Sequence, residues 1–522
     1  MHNRYYSKYF SFRLGYEQKQ AFDALCKFVM DKNSQIFVLR GYAGTGKTSL
    51  IGGFIKKLHS DWKTIVQNKS FDGTQSNPPY RILASTGRAA KILSDKTIAK
   101  ANTVHSMIYR MTGLDESSED IIAATAEQLR EKSGQLRLNF EPIVSLSTET
   151  NIYIVDEASM IADEKNHSTS SNAVFGEGDL LGDLLKYDSK GKFIFVGDPC
   201  QLPPIFQRKS PALDAQHLRT KYQKSITESS LNKIYRQDEN NDILKCATNI
   251  REIWENGKKN GYANPYGCIF PVLGYNSIST VFDQSDFLTS YIKTVKEKGY
   301  EYATLICNSN KECNLLGNIV RQKIHNTDKI IIENDLLLVT QNNYLSNLVN
   351  GDIVVVRKIE QNSEEYHSGL TFVNVEVEEL ANKRKYTLLL IEDLLSSGEP
   401  NLTTDRHALL MRDFCLLMKS KGIYYTKNPK TSEQKKMNEA FLLEMKKDRY
   451  LNALRANYGY ALTCHKSQGG EWDEVFLFLG KSLFAKHKEI GLFQWLYTAV
   501  TRAKNHIYTF AEQTFNLKPS SF

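Results

Sequence analysis

No stretch of this 522-residue chain approaches the roughly 18 consecutive apolar residues that a membrane-spanning helix needs. The opening MHNRYYSKYFSFR lacks the apolar core of a secretory signal, so a cytoplasmic address is expected. Cysteine is sparse and scattered: eight residues, at 26, 200, 246, 268, 307, 313, 415 and 464, form no C-x-x-C pair and no His–Cys cluster at zinc spacing. Reduced, mostly buried thiols follow. A large excess of one charge is also missing, and the net +8 permits a polyanionic partner without demonstrating one. The chain has no internal repeat, no long low-complexity linker, and no separate carboxylate-and-lysine cluster of the nuclease kind.

What is present is 41% hydrophobic content on a length that suits roughly three or four domains. Short β-rich apolar runs recur with helical stretches between them: Ile36-Phe37-Val38-Leu39, Ile152-Tyr153-Ile154-Val155, Phe193-Ile194-Phe195-Val196, Leu305-Ile306 and Val475-Phe476-Leu477-Phe478. That rhythm predicts parallel α/β sheets. The first three runs, with Arg81-Ile82-Leu83-Ala84, predict one sheet, and the later ones, with His506-Ile507-Tyr508, a second.

Two segments break the rhythm. Residues 106–150 hold a polar stretch and then Gln135–Phe140, including Leu136, whose alternation predicts a half-exposed strand and hence a small insertion in the first core. Residues 334–455 hold Leu336–Thr340, an Asn350-Gly351 turn, Ile353–Val356 and Phe372–Val377, which predict a small β-barrel. A Lys-rich helical arm, about 403–455, follows.

Gly41-Tyr42-Ala43-Gly44-Thr45-Gly46-Lys47-Thr48 fits G-x-x-x-x-G-K-[ST], follows a strand and opens a helix expected to run to about Leu58. Glycines let backbone N–H groups close around phosphate oxygens at a helix N-terminus, Lys47 reaches the β- and γ-phosphates, and Thr48 ligates Mg²⁺. The strand Ile152–Val155 ends in Asp156-Glu157, a pair suited to anchoring Mg²⁺ (Asp156) and polarising an attacking water (Glu157). After Phe193–Val196 comes Gly197-Asp198-Pro199-Cys200-Gln201-Leu202-Pro203-Pro204, which places Gln201 to feel a γ-phosphate. Tyr235-Arg236-Gln237 and Thr501-Arg502-Ala503 offer arginines for transition-state charge. His105 reads, on its own, either as a packed structural histidine or as a contact to a ligand.

The order GYAGTGKT, LASTGRAAK, TVHS, VDEASM, VGDPCQLPP, YRQ, LTCHKSQGGEWDEV and LYTAVTRAK resembles the motif series of superfamily 1 helicases, in the branch of the RecD-like and Dda-like 5′-to-3′ DNA helicases. The series spans residues 14 to 504. The resemblance implies two RecA-like P-loop cores that clamp ATP and Mg²⁺ between them. It implies that Gln18, in Leu14–Gln18, reads the adenine and that Gly44, Thr45, Gly46, Lys47, Thr48 and Ser49 hold the phosphates. It also implies that Gln468, Gly469 and Glu471 lie near triphosphate and ribose, and that Arg236 and Arg502 face the γ-phosphate. For the nucleic-acid track it implies Thr86, Arg88, Thr103 and His105 in the first core and Thr463, His465 and Lys466 in the second.

Residues 106–150 fall where such helicases carry a strand-separating pin, with a structural flap as the alternative, and the barrel resembles their SH3-like domain. The expected organisation is a first core over 1–105 and 151–225, the pin insertion at 106–150, a second core over 226–333 and 456–522, and the barrel with its arm at 334–455. Single-stranded DNA and forked or 5′-tailed duplex DNA are the expected partners of a monomer, with a single-strand-binding or replication/repair protein as a further partner. The early position of Leu14–Gln18 is closer to the compact Dda-like form than to long RecD-type members.

Overall fold

The computed structural model describes residues 5–68, 78–124, 138–147, 150–164, 173–176, 178–235, 242–260, 274–366, 369–399, 401–486 and 490–511. Two α/β units with RecA-like sheet topologies carry the chain. The first sheet is entirely parallel, in the order Ala101–Thr103, Tyr80–Ala84, Ile152–Asp156, Lys192–Gly197, Ile36–Gly41, Ile226–Leu231. Its central strands are buried on both faces, which is why they read as continuous apolar runs rather than alternating ones. Lys192–Gly197 separates the phosphate-loop strand from the acidic strand. Parallel pairing brings the C-terminal ends of all these strands to one edge, and the predicted site residues follow those ends. The helix after the phosphate loop, Lys47–Asn68, runs a good deal further than Leu58.

The strand Ile226–Leu231 corrects the expected border between cores, because it pairs with Ile36–Gly41 and completes the first sheet. Its sequence ITESSL buries only Leu231 fully. An edge strand with one solvated side carries little apolar signal, so it read as the start of the next unit. The second sheet runs Ile278–Thr280, Ala503–Ala511, Trp472–Leu479, Ala303–Cys307, Leu462–Thr463, again parallel.

The insertion is a small sheet: Tyr109–Leu114 pairs antiparallel with Leu138–Pro142, which pairs parallel with Ala173–Phe175. The third strand therefore comes from beyond residue 150, a run too short to announce itself in sequence. Residues 125–137, including Leu136, lie outside the described residues. The next unit orders Lys385–Ile391, Leu370–Glu379, Ile353–Tyr366, Leu336–Val339 and Ala456–Tyr458 antiparallel. It closes on itself where Leu454 bonds Leu389 and Ile391 across the open side. Its last strand passes the expected end at 455.

The arm consists of helices Thr404–Ser420 and Ser432–Lys447. It is packed rather than free: Phe414, Tyr425 and Phe441 share one apolar cluster with Leu114 and Ile121 of the insertion. Ser118 Oγ accepts from the Tyr425 amide at 3.0 Å, and the Ser118 amide donates to the Tyr425 carbonyl at 3.0 Å. Gly113 admits the Tyr425 hydroxyl, which would lie only 1.8 Å from any Cβ at that position.

Candidate nucleotide site and strand cleft

The phosphate loop turns on Gly44 and Gly46, at φ +77° and +84°, where a side chain would be strained; a Cβ on Gly46 would also lie 2.5 Å from Gln18 Nε2. Gln18 is buried beneath the loop, donating to the Thr45 carbonyl at 3.0 Å and accepting from the Gly15 amide at 3.0 Å. Both ends of its amide thus brace main chain, a supporting role that its expected place at an adenine edge did not include. Thr45 Oγ1 donates to the Tyr42 carbonyl at 2.8 Å. Thr48 and Ser49 fall in the first turn of the helix beginning at Lys47.

Lys47 Nζ donates to the carbonyls of Gly41 at 2.6 Å and Tyr42 at 3.0 Å and lies 3.9 Å from Asp198 Oδ2. Asp156 is buried, and desolvation, with the neighbouring Glu157 carboxylate, pushes its carboxyl up to about 6 although Lys47 pulls the other way. Asp198 is raised by the same burial and is likewise lowered by Lys47. Glu157 sits at φ 50°, ψ 38°, a left-handed conformation that costs a non-glycine residue of order 1–3 kcal/mol and recurs at functional sites. Asp156, Glu157 and Asp198 act on one another, with Lys47 and Lys96 as the opposing charges, and make a carboxylate donor set that a hydrated Mg²⁺ joined to phosphates complements. The residues fit a Mg²⁺–nucleotide.

From the second core the helix Ile490–Val500 lies against the loop that follows Gly197. Leu202 N–H donates to Thr498 Oγ1 at 3.0 Å, Gln494 Nε2 donates to the Gln201 carbonyl at 3.3 Å, and Gln468 Nε2 donates to the Leu202 carbonyl at 3.3 Å. Gln201 is buried, with its Oε1 unpartnered among the described residues. Arg502 is buried too. Its guanidinium donates to the Thr498 carbonyl at 2.9 Å, the Gly470 carbonyl at 3.2 Å and Thr501 Oγ1 at 3.1 Å, all neutral acceptors. Arg236 lies outside the described residues.

Asp198 and Tyr497, which sequence reading did not single out, stand at the centre of this seam. Tyr497 donates to Asp198 Oδ2 at 2.9 Å and accepts from the Ala43 amide at 2.8 Å. A tyrosine inside the nearly all-apolar run GLFQWLYTAV was the available signal, since a buried phenol needs a partner.

Three of the residues expected on the nucleic-acid track share a device. Thr103 and Thr463 end their strands and Thr86 lies just past one; each caps the next helix, accepting from the amides of Ser106 at 3.1 Å, Lys466 at 3.4 Å and Ala89 at 3.2 Å. A cleft of about 670 Å³ opens between the helix Gly87–Lys96, the barrel and the second core, lined by Arg88, Lys91, Thr103, Asn347, Asp352 and Trp472. Glu471 lines this cleft as well, beside Trp472.

Arg88 stacks its guanidinium 5.0 Å from the Trp472 ring centre; burial, with Arg502 nearby, pulls it down to about 10. Lys91 pairs with Asp352 and, at 3.0 Å, with Glu379, tying the barrel to the first core. His105 packs edge-on against Phe175, centroids 5.1 Å apart, and beside Tyr109, and burial lowers it. Lys466 is lowered by burial at the second core's capped turn, next to His465.

A phosphate loop in one RecA-like unit, its Ala43 amide bonded to a buried tyrosine of a second unit, defines a two-core P-loop NTPase. Two family models agree with that class: an AAA domain model matches residues 13–259, and a UvrD-like helicase C-terminal domain model matches residues 458–508. An uncharacterized protein of Acanthamoeba polyphaga mimivirus is 23% identical over 534 residues, covering 94% of this chain and 98% of its own length. An uncharacterized protein of Methanocaldococcus jannaschii is 24% identical over 521 residues, covering 95% of this chain. The ATP-dependent DNA helicase dda of Enterobacteria phage T4 is 24% identical over 327 residues, 62% of this chain. The chain spans 38% of the archaeal protein and 60% of the phage helicase. Among solved structures, the Pif1 helicase from Bacteroides in complex with ADP-AlF3 and ssDNA aligns over 97% of this chain and 94% of its own, at 15% identity and TM-score 0.46.

Proposed function

We propose that the chain is an ATP-driven DNA helicase that moves 5′ to 3′ on single-stranded DNA and separates duplex strands as its two cores close on ATP and reopen after hydrolysis. The observation that carries this reading is the seam, where the phosphate loop and Asp198 of one core bond directly to the second-core helix that leads to Arg502. Any chemistry at the loop is thereby tied to the relative position of the cores. The UvrD-like helicase match and the phage relative support nucleic acid as the track.

In this reading Lys47 holds the β- and γ-phosphates on the loop amides, Thr48 and Asp156 hold Mg²⁺, and Glu157 takes a proton from the attacking water. Mg²⁺, when bound, neutralises phosphate charge. Gln201 senses the γ-phosphate, and Arg502 and Arg236 offset the charge that develops on it. Gln468 and Gly469 complete the nucleotide clamp, Glu471 faces the cleft instead, and the capping threonines with Arg88 and Lys466 hold the strand by its phosphates, which carry no sequence information.

Three measurements test the reading. With saturating ATP and matched tails, a duplex with a 5′ single-stranded tail should be unwound and a 3′-tailed one nearly untouched; equal or greater unwinding of the latter would refute the direction and, with it, the pin assigned to 106–150. Binding of single strands should weaken with salt at a log–log slope of about −0.7 per phosphate neutralised and vary little with base order. A strong base preference would point to a recognition module instead. Comparing ATPase stimulation by single-stranded DNA and RNA separates a DNA track from an RNA one.

A further inference from the structure

We infer that Tyr497 is a positioning residue for ATP hydrolysis, holding the phosphate loop and Asp198 in register with the second-core helix that leads to Arg502. The inference rests on the helicase reading above and adds to it a residue and a route. One phenolic oxygen joins three elements: it accepts from the Ala43 amide at 2.8 Å, it donates to Asp198 Oδ2 at 2.9 Å, and its own backbone belongs to the helix Ile490–Val500. Tyr497 is 2% exposed and Asp198 fully buried, so water is not at hand to replace either bond.

Ala43 is the third residue of the phosphate loop, and its amide is fixed from outside the first core. Asp198 is in turn the carboxylate 3.9 Å from Lys47. A displacement of Lys47 or of the loop on nucleotide binding is therefore felt at Tyr497. From there the path to Arg502 is short: the Arg502 Nε donates to the carbonyl of Thr498, the residue next to Tyr497. The adjoining Thr498 hydroxyl accepts from Leu202 N–H and keeps the helix seated on the loop that carries Gln201. A packing role for Tyr497 would need only its ring; this role needs its hydroxyl.

Tyr497→Phe isolates that oxygen. The experiment measures ATPase of the full chain with and without single-stranded DNA, binding of a fluorescent ATP analogue, and the melting temperature. The expected result is a fall of about tenfold or more in DNA-stimulated kcat, with KM for ATP and analogue binding changed by less than about threefold and the melting temperature nearly kept. Combined with Asp198→Asn, the double variant should be scarcely slower than the slower single one, because both remove the same link. Unchanged kcat in Tyr497→Phe, or full additivity with Asp198→Asn, would overturn the inference while leaving the helicase reading intact. Wild-type ATPase indifferent to single strands would overturn that reading and this one together.

Discussion

Lys47→Ala should abolish nearly all ATPase, a loss of at least about 10³-fold, while nucleotide-free binding of single-stranded DNA persists. The ammonium is the cation that the described structure places against both Asp198 and the loop carbonyls of Gly41 and Tyr42. On the proposed function, removing it strips the phosphates of their charge partner; in the protein itself it leaves Asp156 and Asp198 more strongly shifted upward, since Lys47 lowers both. The folded chain loses two carbonyl contacts at a partly solvated position, so its stability should fall by no more than about 2 kcal/mol. A colorimetric phosphate assay with a binding titration on a labelled oligonucleotide reads both halves of the expectation. Sustained turnover would remove the loop from the catalytic site.

Arg502→Ala should lower kcat by roughly 10³-fold with a much smaller change in ATP affinity, the pattern of a charge that matters in the transition state. The structure supplies the reason that this arginine is available. Among the described residues no carboxylate pairs with it; its bonds go to two carbonyls and a hydroxyl, and Arg88 adds a second buried cation nearby. Asp352 offsets Arg88 in part, so it is Arg502, bonded only to neutral acceptors, that is left to meet an anion between the cores. Arg502→Lys should recover little of the loss, because an ammonium cannot reproduce the fork that reaches Thr498, Gly470 and Thr501 at once. An effect confined to affinity would contradict the role.

Elements whose physics is local were legible in the sequence. The phosphate loop announced itself because glycines, lysine and threonine must stand at fixed spacing between a buried strand and a helix, and both sheets did so because strands buried on two faces are uniformly apolar. What stayed hidden depends on distant partners. Ile226–Leu231 belongs to the first sheet only because Ile36–Gly41 offers it an edge. Ala173–Phe175 and Ala456–Tyr458 are strands of three residues, too short for any periodicity. Asp198 looked like part of a Pro-rich turn, and nothing within GLFQWLYTAV tells which carboxylate, about 300 positions earlier, its tyrosine meets. His105 and Gln18 were found as residues, but their packing against Phe175 and beneath Thr45 is a product of the assembled fold.

The closed barrel bears on how the chain reaches this fold at all. Leu336–Val339 and Ala456–Tyr458 lie side by side, and Gly459 N–H donates to the Leu336 carbonyl, so an insertion of over a hundred residues leaves and rejoins the second core at nearly one point. Three strands of that core, Leu462–Thr463, Trp472–Leu479 and Ala503–Ala511, are synthesised only afterwards. If they had to find Ala303–Cys307 across an open coil of about 120 residues, loop closure would cost roughly 3 kcal/mol more than across a turn of a few residues, at about 0.6 kcal/mol per doubling of length. The barrel's hairpins make mostly near-neighbour contacts and can form first, converting that long excursion into a short one before the last strands emerge. Order of folding is then written into the order of the chain: the barrel is also the staple that lets the second core be built late.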